Sequence, residues 1–142
     1  MTYADDVTPS QCWQQLTENQ AAQIVDVRTV AEWSFVGLPD LSTASKDVIC
    51  EEWQQFPTMQ VNEAFAHRVG EKLQAIGTKT DDPLFFLCRS GVRSKSAAAA
   101  MTAAGYTQCF NITGGFEGDK DDEGHRGGVN GWKVENLPWR QG

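Results

Sequence analysis

A cysteine that ends an apolar stretch and begins a short polar turn is the part of this sequence best suited to chemistry. The apolar stretch Leu84–Leu87 has the length of a buried strand, and Cys88 follows it. Six residues form the turn after the cysteine: Arg89, Ser90, Gly91, Val92, Arg93 and Ser94. An alanine-rich run then predicts a helix that ends at Gly105. Because such a unit directs backbone N–H groups and a positive helix end at one point, we predict that Cys88 is a nucleophile in an anion-binding loop.

The local sequence leaves alternatives for the cysteine and for the two arginines of the turn. Cysteine is often inert packing, but that reading fits Cys109, which lies inside a strand-like stretch, better than Cys88. Arg89 and Arg93 favour a thiolate and would attract an anionic substrate. Either guanidinium could instead be a structural ion-pair partner.

Alternating helices and strands must position this turn. The patterns predict helices over 9–19, 30–36, 63–76 and 94–104, and strands over 23–27, 47–50, 84–87 and 107–112. Capping boxes that start at Thr8 and Thr29 mark the first two helices, and Asn62 is the expected cap of the third. This alternation implies parallel strands with helices on both faces. Ligands of such sheets bind beyond the carboxyl ends of the strands, where Cys88 falls.

Other side chains are predicted to support the fold. Apolar residues at helical spacing form a stripe on the third helix: Phe65, Val69, Leu73 and Ile76. Trp53 and Phe56 are expected to cover the core. Arg28 and Glu32 stand four residues apart and could form an ion pair, whereas Asp26 and Arg28 are assigned to bracing the strand end. His67 has no second ligand or base nearby in the sequence and is assigned to a surface or partly buried position.

The composition limits the classes of function. A chain of 142 residues is most simply one domain, and its net charge of −7 disfavours nucleic-acid and acidic-membrane partners. The four cysteines form no CxxC pair, so neither a metal site nor a cofactor is predicted. The sequence begins without the basic and apolar regions of a secretory signal, and no apolar run has membrane-spanning length. We therefore expect a cytoplasmic protein with reduced thiols.

The glycine-rich segment 114–131 predicts a long loop, and long loops often carry function. Residues 119–124 partly imitate a calcium loop, but Asn130 stands where that pattern requires Glu, and no metal is predicted. His125 and Arg126 could face the active site or form a solvated tip. Four residues after the loop look like a tail that folds back onto the core: Trp132, Leu137, Pro138 and Trp139.

Several segments together resemble the single-domain rhodaneses, the thiosulfate sulfurtransferase-like family. They occur in family order: 24–28 with Glu32 and Trp33, 87–94, Asn111 with Gly114 and Gly115, and Trp132 with Leu137 and Pro138. The resemblance implies an α/β rhodanese-like fold, with a five-stranded parallel sheet flanked by helices on both faces. It also implies sulfurtransferase activity through a persulfide on Cys88, with the turn from Arg89 to Ser94 binding the substrate.

Two departures from the family pattern concern the surroundings of the turn. The family often has Gly-His-Ile-Pro-Gly-Ala where this chain has Gly37, Leu38, Pro39 and Asp40. Asp119 stands where the family usually has Trp, and a matching tryptophan follows only at Trp132. The segment 119–131 therefore resembles an insertion at the rim of the active site, where it would affect the choice of acceptor.

The spacing of the turn separates this hypothesis from other cysteine enzymes. Cysteine phosphatases use Cys-x5-Arg, which would require arginine where this chain has Ser94, and Arg93 comes one position early. The same spacing disfavours arsenate-reductase-like chemistry. The resemblance implies a small sulfur donor such as thiosulfate and a thiol or cyanide acceptor. A persulfide carrier or binding module, working with a sulfur-relay protein, is the alternative.

Overall fold

Five parallel strands form the central sheet of the computed structural model, which describes residues 2–141. In chain order the strands are β1 (Asp5–Val7), β2 (Gln23–Asp26), β3 (Leu38–Pro39), β4 (Ile49–Cys50), β5 (Gln54–Gln55), β6 (Gln60–Val61), β7 (Leu84–Leu87), β8 (Cys109–Ile112) and β9 (Trp139–Arg140). The central sheet has the order β1-β8-β7-β2-β4, and its neighbouring strands are parallel. The predicted sheet is confirmed. Since β7 lies in its middle, Cys88 follows at the centre of the carboxyl edge.

Between Thr2 and Gln141, four α-helices accompany the sheet: α1 (Pro9–Glu18), α2 (Val30–Phe35), α3 (Phe65–Ala75) and α4 (Val92–Ala103). Both predicted capping boxes are present, at Thr8 and at Thr29. The third helix begins later than predicted. Asn62 accepts a hydrogen bond from the Ala64 N–H over 3.1 Å, and its amide donates to Glu51 and to the Glu52 carbonyl. The helix begins only at Phe65, with Ala64 rather than Asn62 as its N-cap residue.

Each face of the sheet has its own apolar core, because successive residues of a strand point to opposite sides. Phe86 belongs to the core that α3 and α4 cover, whereas Phe85 and Leu87 belong to the core that α1 covers. Burial of each such side chain contributes roughly 1.5–3 kcal/mol. Ala97 and Ala98 of α4 are fully buried against the sheet. The helices therefore fix the sheet from both sides, as predicted.

Two side chains that were expected in the core are exposed instead. Phe56 is 54% exposed because it lies in the turn between β5 and β6. Ile76 is 55% exposed because it follows the last turn of α3 and so leaves the buried stripe. These two predictions were wrong. Trp53 does cover the core, and it packs edge-on against Phe65 with ring centroids 5.2 Å apart.

The C-terminal segment folds back onto the sheet. Trp132 is fully buried in the core that α1 covers, and its indole N–H donates to the Pro138 carbonyl over 2.7 Å. The last strand, β9, then pairs with β3 in an antiparallel ribbon. Trp139 remains exposed, so it covers less of the core than predicted.

Within residues 2–141, no helix combines the length and apolar character that crossing a membrane requires.

Candidate active site

Cys88 lies between the end of β7 and the start of α4. Gly91 is the N-cap residue of α4 and has a φ of +108°, a left-handed conformation that glycine adopts readily. The Gly91 N–H donates a hydrogen bond to Cys88 Sγ over 3.0 Å, and Ser94 Oγ lies 3.2 Å from the same sulfur. The cysteine therefore meets an amide hydrogen at the positive end of a helix. Cys88 is only 1% exposed, so a substrate must enter the turn to reach it.

The other residues of the turn have different surroundings. Arg89 and Val92 are exposed, Ser90 is half-buried and Ser94 is fully buried. Several backbone N–H groups of the turn were predicted to point at one place, and among the described residues Gly91 supplies the one within hydrogen-bonding distance of Sγ. The substrate-binding role of these six residues stays a prediction.

Arg93 binds Glu32 of α2 in a two-point ion pair. Its Nη1 and Nη2 lie 2.7 and 2.9 Å from the two carboxylate oxygens, and both side chains are mostly buried. Burial alone would raise the pKa of Glu32, but the hydrogen bonds and charge of Arg93 outweigh it and hold that pKa below its usual value. This pair ties the start of α4 to the start of α2. The contacts of Arg93 therefore fit the alternative in which this arginine is a structural ion-pair partner.

The ion pair predicted between Arg28 and Glu32 is wrong, because each residue has another partner. Arg28 Nη2 lies 2.6 Å from Asp26, and both side chains are fully buried. The same nitrogen donates to the Gly37 carbonyl over 2.7 Å. Asp26 and Arg28 therefore brace the carboxyl end of β2, as predicted. In a buried site, a charge needs such a partner to offset its lost hydration.

The segment 115–118 holds the cysteine turn from its other side. The Phe116 N–H donates to the Cys88 carbonyl over 2.8 Å, and the N–H groups of Glu117 and Gly118 both donate to the Arg89 carbonyl over 3.0 Å. Gly115, at a φ of +62°, lies so close that a Cβ would fall 2.6 Å from the carbonyl carbon of Arg89. The position therefore requires glycine for both its conformation and its contacts.

The segment 119–131 forms an ordered rim beside the turn. Asp119 and Asn130 form two hydrogen bonds with each other. The Asp119 backbone N–H donates to Asn130 Oδ1 over 2.8 Å, and Asn130 Nδ2 donates to the Asp119 carboxylate over 3.0 Å. Arg126 Nη1 donates to the Gly118 carbonyl over 2.7 Å. An open groove of about 630 Å³ lies between this rim and the turn, and its polar lining is Glu32, Arg89, Glu117, Lys120, His125 and Arg126. His125 and Arg126 thus share a groove with Arg89, while the status of the rim as an insertion stays a prediction.

The sequence did not identify two groups that complete the site. Glu32 was assigned to a capping box, to a possible pair with Arg28 and to the family pattern, and no residue near it in the sequence indicates its ion pair with Arg93. Asn111 entered only through the family resemblance, yet its Oδ1 accepts a hydrogen bond from Ser94 Oγ over 2.5 Å. In residues 2–141, no three His, Cys, Asp or Glu side chains are grouped so that they could hold a metal ion.

Solved structures with this architecture define the class of protein. The solution structure of a polysulfide-sulfur transferase homodimer from Wolinella succinogenes matches with a TM-score of 0.60 and 18% identity, covering 99% of this chain and 80% of that one. A rhodanese-like domain protein from Staphylococcus aureus matches with a TM-score of 0.53 and 20% identity, covering 79% and 87%. At such identities the likeness concerns the fold alone, and the fold is rhodanese-like.

Relatives of higher identity define the family within that class. The family model described as the STR4 middle domain matches residues 5–142. The crystal structure of Rv0390 from M. tuberculosis matches with a TM-score of 0.87 and 44% identity, covering 99% of this chain and all of that one. An uncharacterised protein of Rickettsia conorii is 40% identical over 135 residues, or 95% of this chain and 96% of that protein. The chain belongs to the STR4 middle domain family of rhodanese-like proteins.

Proposed function

We propose that this protein is a sulfurtransferase that carries sulfane sulfur as a persulfide on Cys88. One observation supports the proposal above the others: the sulfur lies at the start of α4 and accepts the Gly91 N–H over 3.0 Å. A sulfur anion is stabilised by such a fixed amide dipole without any rearrangement of the protein. The rhodanese-like family of the chain supports the same chemistry.

The reaction has two steps, and the second step restores the free Cys88 thiolate. The Cys88 thiolate attacks the outer sulfur of thiosulfate, the sulfur–sulfur bond of the donor breaks, and sulfite leaves with the bonding electrons. An acceptor thiolate or cyanide then takes the outer sulfur of the persulfide, and the Cys88 thiolate leaves. Splitting the transfer in this way is covalent catalysis with ping-pong kinetics. The Gly91 N–H would stabilise the negative persulfide, and the Ser94 hydroxyl lies close enough to rotate toward it.

The groove beside the turn has the charge to attract anionic substrates to the neighbourhood of Arg89. Arg89, Lys120 and Arg126 line it, whereas Glu32, one of its two carboxylates, is already neutralised by Arg93. A cationic groove on a protein of net charge −7 concentrates anions locally. Its volume of about 630 Å³ exceeds the needs of thiosulfate and leaves room for a larger thiol acceptor or for a segment of a sulfur-relay protein.

Two further features are consistent with this role. The Wolinella succinogenes neighbour is a polysulfide-sulfur transferase, so this fold is used for sulfur transfer in that protein. All four cysteines of this chain are free thiols, which supports a reducing, cytoplasmic location. A sulfur-carrier role would use the same persulfide and would differ only in the proteins that supply and receive the sulfur.

The test is transfer of sulfur to Cys88 itself. Wild-type protein treated with thiosulfate should gain one sulfur atom on the peptide that contains Cys88, and Cys88→Ser should lose both this gain and turnover. Cys50→Ser is the matched control, because Cys50 lies at the carboxyl end of β4 in the same sheet and should be dispensable. Turnover retained by Cys88→Ser would overturn the proposal. Slow turnover with thiosulfate but rapid loading from a persulfidated protein would identify a carrier.

A further inference from the structure

A chain of hydrogen bonds links the reactive sulfur to the protein surface. Ser94 Oγ lies 3.2 Å from Cys88 Sγ and donates to Asn111 Oδ1 over 2.5 Å. Asn111 Nδ2 donates in turn to Asp6 Oδ1 over 2.9 Å. Ser94 and Asn111 are fully buried, whereas Asp6 is exposed on the edge strand β1. Buried side chains therefore connect Cys88 to a carboxylate that solvent reaches.

The carboxylate of Asp6 determines which group donates and which accepts in each hydrogen bond of this chain. The hydrogen bond from Asn111 holds the pKa of Asp6 below its usual value, and the Tyr3 hydroxyl donates to the same oxygen over 2.8 Å. Since an ionised carboxylate can only accept, Asn111 must turn its amide hydrogens to Asp6 and its carbonyl oxygen to Ser94. The single hydroxyl hydrogen of Ser94 then goes to Asn111. Ser94 is left with only a lone pair to present to Cys88.

We propose that Asp6 and Asn111 are positioning residues that favour the thiol form of Cys88 in the resting protein. A lone pair on Ser94 Oγ accepts a hydrogen bond from S–H but repels a thiolate. When Cys88 ionises, its proton passes to solvent and the Ser94 hydroxyl must rotate to the sulfur, which breaks the bond to Asn111. The network thus opposes the Gly91 N–H, which donates to the same sulfur over 3.0 Å.

Charged groups lie near both ends of this chain of hydrogen bonds and also affect it. The charge of Arg93 acts near Cys88, although Glu32 already pairs with it. Lys95 of α4 stabilises the carboxylate of Asp6, and Asp5 precedes it on β1. A test must therefore separate the direction of the hydrogen bonds from a simple change of charge.

The variant Asp6→Asn makes this separation possible, because a neutral amide can donate as well as accept and no longer fixes the direction. Asn111 can then reverse its amide, and Ser94 can donate to Sγ. We expect alkylation of Cys88 by iodoacetamide at neutral pH to become about tenfold faster, since a hydrogen bond to a charged acceptor contributes about that factor and the rate follows the thiolate fraction. The ultraviolet absorbance of the thiolate should increase in parallel.

The three other thiols interfere little with this measurement. Burial raises the pKa values of Cys12 and Cys109, and it raises the pKa of Cys50 to about 12, so all three are almost fully protonated at neutral pH. Mass spectrometry of the peptide that contains Cys88 confirms the labelled site.

Two variants control the experiment. Asp5→Asn removes the same charge one residue away, and we expect it to change the alkylation rate less than about twofold, because the Asp5 carboxylate accepts the Asp6 backbone N–H over 2.8 Å and not the side-chain amide of Asn111. In a Ser94→Ala background, Asp6→Asn should have no further effect, since the hydroxyl that transmits it is absent. Faster alkylation in both backgrounds would indicate loosening of β1 and would overturn the proposal, as would an unchanged or slower rate in folded Asp6→Asn. The inference goes beyond sulfur transfer and requires only that Cys88 ionises, so its failure would leave sulfur loading of Cys88 to be judged by its own assay.

Discussion

The variant Gly115→Ala should disrupt the backbone contacts between the cysteine turn and the segment 114–118 without changing any side chain that we place at the sulfur. A Cβ at residue 115 would lie 2.6 Å from both the carbonyl carbon and the oxygen of Arg89, and it would also collide with the Cys88 carbonyl oxygen. These are backbone atoms, so no side-chain rotation relieves the contacts. Either the turn or the segment 114–118 must move.

The expected cost follows from three contributions. Alanine in the left-handed conformation costs about 1–2 kcal/mol, and forcing an extra carbon into a packed site costs roughly 1–3 kcal/mol. Movement also weakens three backbone hydrogen bonds from residues 116–118 to the carbonyls of Cys88 and Arg89, each worth about 1 kcal/mol. The variant should therefore lose roughly 4–6 kcal/mol, a large share of the 5–15 kcal/mol that stabilises a typical domain.

Gly77→Ala is the matched control. Gly77 has a φ of +80°, and a Cβ added there would have no neighbouring atom within 4 Å, so alanine at this position meets only the conformational cost. Thermal unfolding followed by circular dichroism should show a Tm loss of about 10–20 °C for Gly115→Ala and about 3–6 °C for the control. Persulfide loading at a temperature where both variants are folded should fall only in Gly115→Ala. Equal Tm losses would refute the reasoning, because they would mean that the contacts with the turn add nothing.

Two further predictions concern charges around the turn. Because the pKa of Glu32 is lowered in the folded protein, its pair with Arg93 stabilises the fold above the ordinary value of 4.5 and is lost as the pH falls through the lower folded value. Glu32→Gln should therefore reduce the loss of unfolding free energy between neutral and acid pH in urea titrations, and an equal loss in both proteins would contradict this. Lys120→Ala should raise the KM for thiosulfate about two- to fivefold with kcat little changed, because the groove loses one attracting charge. Lys79→Ala, which precedes β7 at the opposite edge of the sheet, should leave KM unchanged, and similar effects of both variants would indicate only the overall charge.

Local patterns were sufficient to predict the elements that position the cysteine. The capping boxes at Thr8 and Thr29 marked the starts of α1 and α2 because both partners of each box lie within four residues. The apolar length of β7 and the glycine after Cys88 predicted the strand and the turn in the same way. Phe56 and Ile76 were misplaced because hydrophobicity favours burial but does not specify where a hairpin turns or where a helix ends.

Contacts between distant parts of the chain could not be predicted in this way. The ion-pair partner of Glu32, Arg93, is 61 residues away in the sequence. The helical spacing of four residues suggested Arg28 instead, but Arg28 forms its ion pair with the buried Asp26. The link from Asn111 to Asp6 spans 105 residues. Such pairs depend on the order of the strands, because β1 and β8 become neighbours only when the sheet has formed.

The same long-range contacts explain how a short turn can hold a buried sulfur in one orientation. Arg93 is anchored to α2, the carbonyls of Cys88 and Arg89 are anchored to residues 116–118, and Ser94 is anchored to β8. These anchors leave the Gly91 N–H directed at Sγ before any substrate is present. A donor fixed in advance stabilises a developing negative charge without the cost of reorganising solvent or protein. Loss of the Arg93 anchor, or of the anchors at the Cys88 and Arg89 carbonyls, should therefore weaken the stabilisation of the sulfur anion, although these groups do not contact the sulfur itself. Release of Ser94 from Asn111 should have the opposite effect, because its hydroxyl can then donate to the sulfur.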